Sequence, residues 1–560
     1  MQFDRKVTIL FAALAATLVT GAGGASDRNF KKSSAAITEP GFRALVQGIS
    51  ADELEGRGPG STGEQRTIQY LEQQFLDLGL QPAAGGSFRQ DVSLVEITAI
   101  DPTLSFTRGA GGMTLAFGDD MVIGTRRVRP ESSIKDSEVV FVGYGIVAPE
   151  FGWNDYAGVD MHGKTALILV NDPGFVTGDE TLFRGKAMTY HGRWTYKFEE
   201  AARQGAAAAI IIHETAPAAY DWQVVRNGWS RPQFYLDRPD GNAGSTALEG
   251  WITHDRARQL MEMAGLDLEA MQAAAVQRGF RPVPLGVTAS GGVRNVIRRA
   301  KSPNVAAVMP GKDQPDEYVI YVAHWDHLGR SLAFSGDTIF NGAVDNATGV
   351  AGILTIAKAF HEMRPGPSRS VMFLAVTAEE SGLLGSEHYA EHPLVPLEKT
   401  AAVINIDALN PLGRAKDVEV IGFGASELEQ LLAGAAKSQG RTLTPDRRSE
   451  AGYFYRSDHF NFAKAGVPAL YIKSGSTLRD GPPGAGLASY DAYYAERYHK
   501  PGDQYEASWD VSGSIEDLKL LYVVGARVAN QKSWPQWYEG NEFRAVRDAS
   551  AASRLPSGKE

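Results

Sequence analysis

Three acidic residues and one histidine follow strand-like segments in the second half of the chain. His324 ends the run Y-V-I-Y-V-A-H, Glu379 and Glu380 follow S-V-M-F-L-A-V-T-A, and Asp407 ends A-A-V-I-N-I-D. In an open α/β sheet, ligands bind just beyond the carboxyl ends of the strands. Imidazole and carboxylate groups are typical metal ligands, and ordinary core strands do not need them at their ends. The pattern predicts a metal site assembled at one edge of a sheet.

Two further candidate ligands lie outside these strands. Asp345 directly precedes a helical segment in N-G-A-V-D-N-A-T-G-V, and His499 lies in Y-H-K-P-G-D. Hydrolysis of an amide by two metals about 3.5–4 Å apart needs a bridging carboxylate, further ligands for each metal and a separate carboxylate as base. Six residues of the chain meet this requirement: His324, Asp345, Glu379, Glu380, Asp407 and His499.

Spacing leaves two choices between histidines open. His327 lies three residues after His324, and His459 in S-D-H-F-N-F competes with His499. Strand alternation does not separate these residues. Asp326 could accept a hydrogen bond from the second imidazole nitrogen of His324, which would fix the tautomer of a ligand.

The segments that carry these residues alternate between strands and helices. Helical patterns cover residues 347–363, 426–437 and 515–529, and apolar runs of strand length lie between them. This alternation predicts an α/β fold with a mixed, mostly parallel sheet covered by helices on both faces. Strand-rich, glycine-punctuated segments from residue 137 onward predict a β-rich module inserted before that sheet. The aromatic stretch 216–235 is interpreted as a loop that packs over an edge of this module.

Composition limits the classes of protein. The chain has 560 residues, a net charge of -10 and no cysteine. This length predicts more than one domain, and the acidic balance without a basic stripe argues against nucleic-acid binding. Because no thiolate is available, any zinc must be held by histidine and carboxylate side chains.

The first residues are typical of a secretory signal. Arg5 and Lys6 precede an apolar run from Val7 to about Val19, and the small-residue stretch G-A-G-G-A-S follows. We expect cleavage near Ala25 and export to the periplasm or the extracellular space. The apolar run is shorter than the ~20 residues that span a bilayer, so no membrane anchor is expected in the mature form.

Six motifs in order resemble one family. The chain is similar to the co-catalytic zinc aminopeptidases, the family of aminopeptidase Y, with glutamate carboxypeptidase II and glutaminyl cyclase as relatives. The resemblance covers residues 37–128 and 295–529 and implies a zinc-exopeptidase (phosphorylase/hydrolase-like) fold. It rests on the motifs H-W-D-H-L-G, G-A-V-D-N-A-T-G-V, A-E-E-S-G-L-L-G-S, I-N-I-D, R-S-D-H-F-N-F-A-K-A-G-V-P and Y-H-K-P-G-D.

The resemblance implies a role for each site residue and two Zn²⁺ ions per chain. Asp345 matches the bridging ligand, His324 and Asp407 the ligands of one zinc, and Glu380 and His499 those of the other. Glu379 matches the general base. Asp326 matches a residue that supports His324. Tyr498 matches a phenol that stabilises the oxyanion, and Arg456 matches a substrate-contacting arginine. His and carboxylate ligands would also accept Mn or Co.

The signal pattern and the resemblance together divide the chain into parts. Residues 1–25 are the signal peptide, 37–128 and 285–545 form the catalytic domain, and 137–275 are similar to a protease-associated domain. This insert could cover the cleft, restrict access to short peptides or mediate contacts in a homodimer. Residues 334–339 and 477–498 are expected to build the specificity pocket. Arg57, in the turn-rich run L-E-G-R-G-P-G, is interpreted as a solvated loop arginine.

Four functions are compatible with these residues. The first is an exported metallo-aminopeptidase that acts on peptides, with water activated by two zinc ions and Glu379 as the base. The second is a carboxypeptidase of the glutamate carboxypeptidase type, which needs a basic cluster of which the sequence indicates only Arg456. The third is a one-zinc acyltransferase such as a glutaminyl cyclase. The fourth is a non-catalytic binding protein on the same fold, which the complete ligand set disfavours.

Overall fold

The computed structural model describes residues 29–331 and 336–554. The predicted signal peptide lies outside the described residues, as does part of the predicted pocket loop 334–339. No helix within the described ranges combines the length and apolarity needed to cross a bilayer.

Eighteen strands are present among the described residues. They are β1 Gln81–Pro82, β2 Arg89–Arg108, β3 Gly111–Leu115, β4 Met121–Gly124, β5 Glu131–Phe141, β6 Val147–Ala148, β7 Trp153–Asn154, β8 Thr165–Leu169, β9 Ala208–His213, β10 Gln233–Leu236, β11 Leu248–Thr253, β12 Val283–Met309, β13 Gln314–His324, β14 Arg369–Val376, β15 Thr400–Asn405, β16 Asp417–Ile421, β17 Thr442–Pro445 and β18 Ala469–Ser474.

The α-helices lie between these strands and at both ends of the described chain. They are α1 Glu39–Ile49, α2 Thr62–Asp77, α3 Pro173–Thr177, α4 Trp194–Arg203, α5 Thr215–Ala218, α6 Trp222–Trp229, α7 His254–Ala264, α8 Leu268–Ala275, α9 Thr348–His361, α10 Leu384–Glu391, α11 Leu428–Ser438, α12 His459–Lys464, α13 Ala485–Glu496, α14 Ser512–Asn530 and α15 Arg544–Ala549.

Local sequence explains where the first helices begin. The Thr38 side chain accepts a hydrogen bond from the backbone N–H of Gly41 at the start of α1. Ser61 does the same for Glu64 at the start of α2. The Glu64 carboxylate reaches back to the Gly60 N–H at 2.8 Å. These contacts satisfy backbone donors that have no partner inside the helix.

The central part of the sheet is parallel. Strands β14, β13, β15 and β18 are neighbours in that order, and each pair runs parallel. Strand β12 joins this part antiparallel to β14, and β16 joins antiparallel to β18 on the other side. The predicted α/β fold class is confirmed.

Alternate residues of the central strands pack in two different cores. Val319, Tyr321 and Ala323 lie in one apolar cluster, which also contains buried residues of α1, α9 and α14. Ile320 and Val322 lie in the other, together with residues of α10 and α12. Since successive side chains of a strand point to opposite faces, helices cover both faces of the sheet.

A second part of the sheet contains β5, β8, β9, β11 and β4. The first four run parallel in that order, and β4 is antiparallel to β11. Its apolar cluster includes Leu104, Phe106 and Met121, which precede the predicted insert boundary, and Leu285, which follows it. In the structure, the core of the insert therefore extends beyond residues 137–275 on both sides.

Two long strands connect the two parts of the sheet. β2 and β12 pair antiparallel from Arg89 opposite Val305 to Thr107 opposite Thr288, with one irregularity after Gly292. One end of β12 pairs with β14 and the other with β5. The insert therefore leaves and rejoins the chain through paired strands and not through loops.

Two predicted loops contain regular structure. Residues 216–235 include α6 and most of β10, and β10 pairs with β2. Most of the predicted pocket loop 477–498 is the 12-residue helix α13. The interpretation of 216–235 as a loop was wrong, because Trp222 and Trp229 lie at the two ends of a short helix and Phe234 and Tyr235 lie in a strand.

Candidate metal centre

The parallel strands bring the predicted ligands to one edge of the sheet. His324 is the last residue of β13, Glu379 follows the end of β14 by three residues, and Asp407 follows the end of β15 by two. Because β13 is parallel to both β14 and β15, these three ends meet. Ala378 and Ala408, next to two of these acids, have φ angles of 52° and 60°, a left-handed conformation that is unusual for alanine and clusters at functional sites.

Asp345 lies between two histidines. Its Oδ1 is 3.3 Å from Nε2 of His324, and its Oδ2 is 3.3 Å from Nε2 of His499. It belongs to a turn, Ala343–Ala347, that leads into α9. Asp503 accepts hydrogen bonds from the backbone N–H groups of Val344 and Asp345, which holds this turn in place. A carboxylate with one oxygen toward each histidine has the geometry of a bridging ligand.

Two further acids, Glu380 and Asp407, each lie close to one of these two histidines. Oε2 of Glu380 is 3.0 Å from Nε2 of His499, and Oδ1 of Asp407 is 3.6 Å from Nε2 of His324. Two ligand atoms of one tetrahedral zinc, each about 2.0–2.1 Å from it, lie roughly 3.3 Å apart. The residues present therefore fit two metal ions that share Asp345. The structure brings all five predicted ligands together, and their division between two ions stays a prediction.

Two other groups of three residues also have ligand atoms close enough to hold a metal ion. His324, Glu379 and Asp407 have ligand atoms close together, and so have His327, Asp345 and Glu380. However, Nε2 of His324 is 3.9 Å from Glu379, farther than from Asp345 or Asp407. Nδ1 of His327 is 2.6 Å from Oε1 of Glu380, a direct hydrogen bond that is shorter than a separation between two zinc ligands. These distances favour Glu379 as a non-ligand and His327 as a support for Glu380.

His459, the other competing histidine, lies away from these ligand groups. Its ring packs against Phe454 and Tyr471 at centroid distances of 4.5 and 5.1 Å. It is fully buried, and this burial lowers its pKa to about 3. The structure thus places His499 at the site and His459 in the core.

Asp326 supports the two glutamates directly. Its carboxylate accepts hydrogen bonds from the backbone N–H groups of Glu379 at 3.1 Å and Glu380 at 3.4 Å. Nδ1 of His324 is 3.2 Å from the Asp326 backbone carbonyl and 3.9 Å from its carboxylate. The backbone of Asp326, more than its side chain, is therefore placed to fix the His324 tautomer.

The two neighbouring glutamates have opposite electrostatic environments. Burial raises the pKa of Glu379 well above its usual value, and the negative charges of Glu380 and Asp407 add to this effect against the opposing His324. Burial also disfavours ionisation of Glu380, but the His499 and His327 imidazoles outweigh it and lower the pKa of Glu380 to about 2. Carboxyl pairs whose environments separate their pKa values commonly have different roles in a catalytic site.

Tyr498 and Arg456 line a cleft that opens beside these glutamates. The Tyr498 ring stacks on His499, with a centroid distance of 3.9 Å and an interplanar angle of 19°. Arg456 precedes Ser457, whose hydroxyl donates to Asp407 at 2.6 Å. The cleft has a volume of about 390 Å³, within the range of ligand pockets, and its walls come from both parts of the sheet.

Arg57 is a functional residue that sequence reasoning missed. It is 1% exposed, and its guanidinium donates to four backbone carbonyls. The acceptors include Trp325 at 2.8 Å, next to His324, and Gly342 at 3.0 Å, three residues before Asp345; the other two are Asn341 and Ile49. Arg57 therefore holds together the two segments that carry these ligands, and its interpretation as a solvated loop residue was wrong.

The glycines around Arg57 could have signalled this tight contact. Gly56 has a φ of 68°, and a Cβ atom at this position would lie 2.3 Å from the Gly329 carbonyl oxygen. Only glycine permits this conformation and this approach without strain. The run L-E-G-R-G thus packs tightly against the segment around Gly329 and is not a free loop.

Replacing Arg57 with methionine is expected to lower the free energy of unfolding by roughly 2–4 kcal/mol, because buried carbonyls lose charged donors. Urea denaturation of metal-free protein measures this change. The control is Arg66→Met on α2, where the arginine is 47% exposed. Equal destabilisation by the two substitutions would contradict the role given to Arg57.

The fold and the ligand set together define an α/β domain with a candidate metal centre at one edge of its sheet. Residues 304–523 match the model of Peptidase family M28, which confirms the predicted resemblance. The match begins within β12 and ends within α14, and it contains all the predicted metal ligands.

Curated relatives share parts of this chain. The mouse (Mus musculus) protein named Aminopeptidase NAALADL1 is 35% identical over 137 residues, which are 23% of this chain and 17% of that protein. The Mycobacterium tuberculosis protein named Probable lipoprotein aminopeptidase LpqL is 26% identical over 250 residues, 41% of this chain and 45% of that protein. The chain thus spans less than half the length of these relatives. A solved structure of an aminopeptidase from Aneurinibacillus sp. strain AM-1 is 20% identical, with a TM-score of 0.48, and covers 91% of this chain and 97% of that one.

Proposed function

We propose that this protein is a metallo-aminopeptidase that removes N-terminal residues from peptides and uses two zinc ions. The observation that carries this proposal is the position of Asp345, with one carboxylate oxygen facing each of two histidines. The family match over residues 304–523 and the names of the relatives support the reaction class.

The proposed ligands are those whose mutual distances, 3.0 to 3.6 Å, match the separation of two ligand atoms on one zinc. His324 and Asp407 would hold one ion, Glu380 and His499 the other, and Asp345 both. When bound, two zinc ions lower the pKa of water toward neutrality and polarise the scissile carbonyl.

Glu379 is proposed as the general base. Its carboxylate lies beside the ligand groups but outside the shortest contacts, 3.9 Å from His324. It accepts a proton from the attacking water and returns it to the nitrogen of the leaving amine, so that the same side chain acts first as base and then as acid. Its backbone N–H donates to Asp326, which limits movement of the carboxyl group.

Tyr498 is proposed to stabilise the oxyanion. Its phenol lines the cleft with Glu379 and Glu380, and stacking on His499 fixes the orientation of its ring. Partial burial at the cleft raises the pKa of the Tyr498 phenol well above its usual value, and the negative charges of Asp345 and Glu380 add to this shift. The O–H therefore remains protonated and can donate to the developing negative charge.

Export to the periplasm or the extracellular space is part of the proposal and rests on the N-terminal signal pattern. We also propose that the insert is a protease-associated domain and that peptides are the substrates. A homodimer is the proposed assembly. In the structure, residues of the insert form a wall of the cleft, which supports a role in restricting access to the site.

The second candidate is a carboxypeptidase. A second arginine, Arg193 of the insert, lines the same cleft as Arg456, which supports the basic cluster that a carboxypeptidase of this type needs. Substrates with and without a free amino group separate the two candidates. The zinc-loaded protein is expected to hydrolyse Ala-Leu amide and not N-acetyl-Ala-Leu. Hydrolysis of the N-acetylated peptide alone would replace the aminopeptidase with the carboxypeptidase.

Zinc binding is expected to release protons and to become tighter as pH rises. Burial favours the neutral imidazole of His499, but Glu380 and Asp345 outweigh it and raise its pKa to about 10 in the metal-free site. Zinc binds only the neutral form, so affinity should rise about tenfold per pH unit for each proton released below that pKa. Calorimetry in two buffers of different ionisation enthalpy counts the protons. The His499→Gln variant should release fewer protons than the unmodified protein. Equal proton release by the two proteins would contradict this prediction.

A further inference from the structure

Two histidines lie one helical turn apart at the end of α10. His388 belongs to the helix, and His392 directly follows its last residue, Glu391. Side chains four residues apart on a helix are neighbours on one face. The two imidazole rings are nearly parallel, with a centroid distance of 4.8 Å and an interplanar angle of 23°. His392 is exposed and His388 is half-buried, so the pair lies at the surface of the protein.

The spacing of the two rings suits a shared metal ion. Two imidazole nitrogens, each about 2.0–2.1 Å from one tetrahedral zinc, place the centroids of their rings roughly 5 Å apart. Within residues 29–331 and 336–554, neither imidazole has a hydrogen-bond or ion-pair partner. A nitrogen lone pair of each ring is therefore available to an ion.

The segment that carries the pair is held in place by the rest of the fold. Tyr389, which directly follows His388, is fully buried and packs in the apolar cluster under α10. The Gln90 side chain donates a hydrogen bond to the backbone carbonyl of His392 at 2.7 Å. Ligands that are positioned before an ion binds lose little conformational entropy when it does, which strengthens binding.

The charges around the pair favour a cation. Arg238 of the insert lies between two carboxylates, Glu387 at 2.7 Å and Glu391 at 2.5 Å. One positive charge thus serves two negative charges, and each of these acids directly precedes one of the two histidines in the sequence. The remaining negative charge lies beside the imidazoles and attracts a divalent ion.

We propose that His388 and His392 form a binding site for a first-row transition-metal ion, separate from the candidate metal centre. The two imidazoles coordinate the ion, and water molecules fill its remaining positions. Imidazole is a ligand for zinc, nickel and copper, whereas magnesium and calcium prefer oxygen ligands. Of these ions, copper should bind most tightly. The inference does not depend on the proposed peptidase function.

Calorimetric titration of the zinc-loaded protein with further zinc tests this site. One additional ion should bind per chain. His388→Gln and His392→Gln should each weaken its binding by more than about 10-fold, because even residues that only support a metal ligand cost about 10–100-fold in affinity. Titration of the unmodified protein with magnesium should show no binding at this site. Without excess zinc, both variants should keep the Tm of the unmodified protein, which shows that they fold.

His361→Gln is the matched control, since it removes one exposed histidine from the end of another helix, α9. This variant should retain the additional ion. Three results would each overturn the site: no additional zinc bound up to about 1 mM, zinc binding that is unchanged in both His388→Gln and His392→Gln, or equally tight binding of magnesium. A protein that binds the additional zinc but hydrolyses no peptide would instead overturn the proposed peptidase and keep this site.

Discussion

Replacing Glu379 with glutamine is expected to lower kcat by about 10²–10⁴-fold, the usual contribution of a general base. Glutamine has nearly the same shape but cannot accept the proton. Because Glu379 lies outside the shortest contacts between ligand atoms, the zinc content should remain that of the unmodified protein. Steady-state kinetics with Ala-Leu amide and elemental analysis of the same samples measure both quantities.

Glu380→Gln is the matched control for this substitution. The two glutamates are adjacent and both are partly buried near His324 or His499, but only Glu380 lies 3.0 Å from a proposed histidine ligand. Glu380→Gln should therefore lose metal as well as activity. If Glu379→Gln lost metal to the same extent, Glu379 would be a ligand in a group with His324 and Asp407, and a different base would be required.

Replacing Asp345 with asparagine is expected to lower both the zinc content and the activity, the latter by more than about 100-fold. Residues that only support a metal ligand already cost about 10–100-fold when they are changed. Asparagine has one side-chain oxygen and no negative charge, so it cannot place an oxygen toward both His324 and His499. Elemental analysis should find fewer than two zinc ions per chain, and kinetics should find the loss of turnover.

Asp458→Asn controls for the loss of a buried carboxylate near the site. Asp458 is fully buried and accepts from the Ser386 hydroxyl at 2.6 Å, a contact that asparagine can keep. Burial raises the pKa of Asp458 to about 7, so at neutral pH its replacement by asparagine removes only about half a negative charge. Zinc content should be retained in this variant. An Asp345→Asn protein with two zinc ions and normal turnover would contradict the bridging role.

The parts of the site that follow strand ends could be predicted from sequence. His324, Glu379 and Asp407 each come after an apolar run with clear strand periodicity, and parallel pairing brings such ends together. The choice between His459 and His499 needed the resemblance to a family, because both lie in polar segments after the third of these strands. Tertiary packing decides that choice, and no local pattern reports it.

Other features depend on contacts between distant segments, which no local pattern contains. Arg57 lies in a turn-rich run that resembles a surface loop, yet it is buried by segments almost 300 residues away. Arg193 lies in the insert and meets Arg456 only in the folded protein. The sequence does not indicate the full 27-residue length of β12, because the middle of this strand, residues 294–301, is polar and mostly exposed and does not resemble a buried strand.

The pairing of β2 with β12 has a mechanical consequence for access to the site. A wall of the cleft that swings open needs a hinge, and hinges are usually loop residues or ends of helices and strands that absorb changes in backbone angle. Here both crossings into the insert are strands joined by a ladder from residues 89 and 305 to residues 107 and 288. Rotation of the insert would break hydrogen bonds in that ladder. We therefore expect the width of the cleft to stay fixed, so that peptides are selected by length before any step of the reaction.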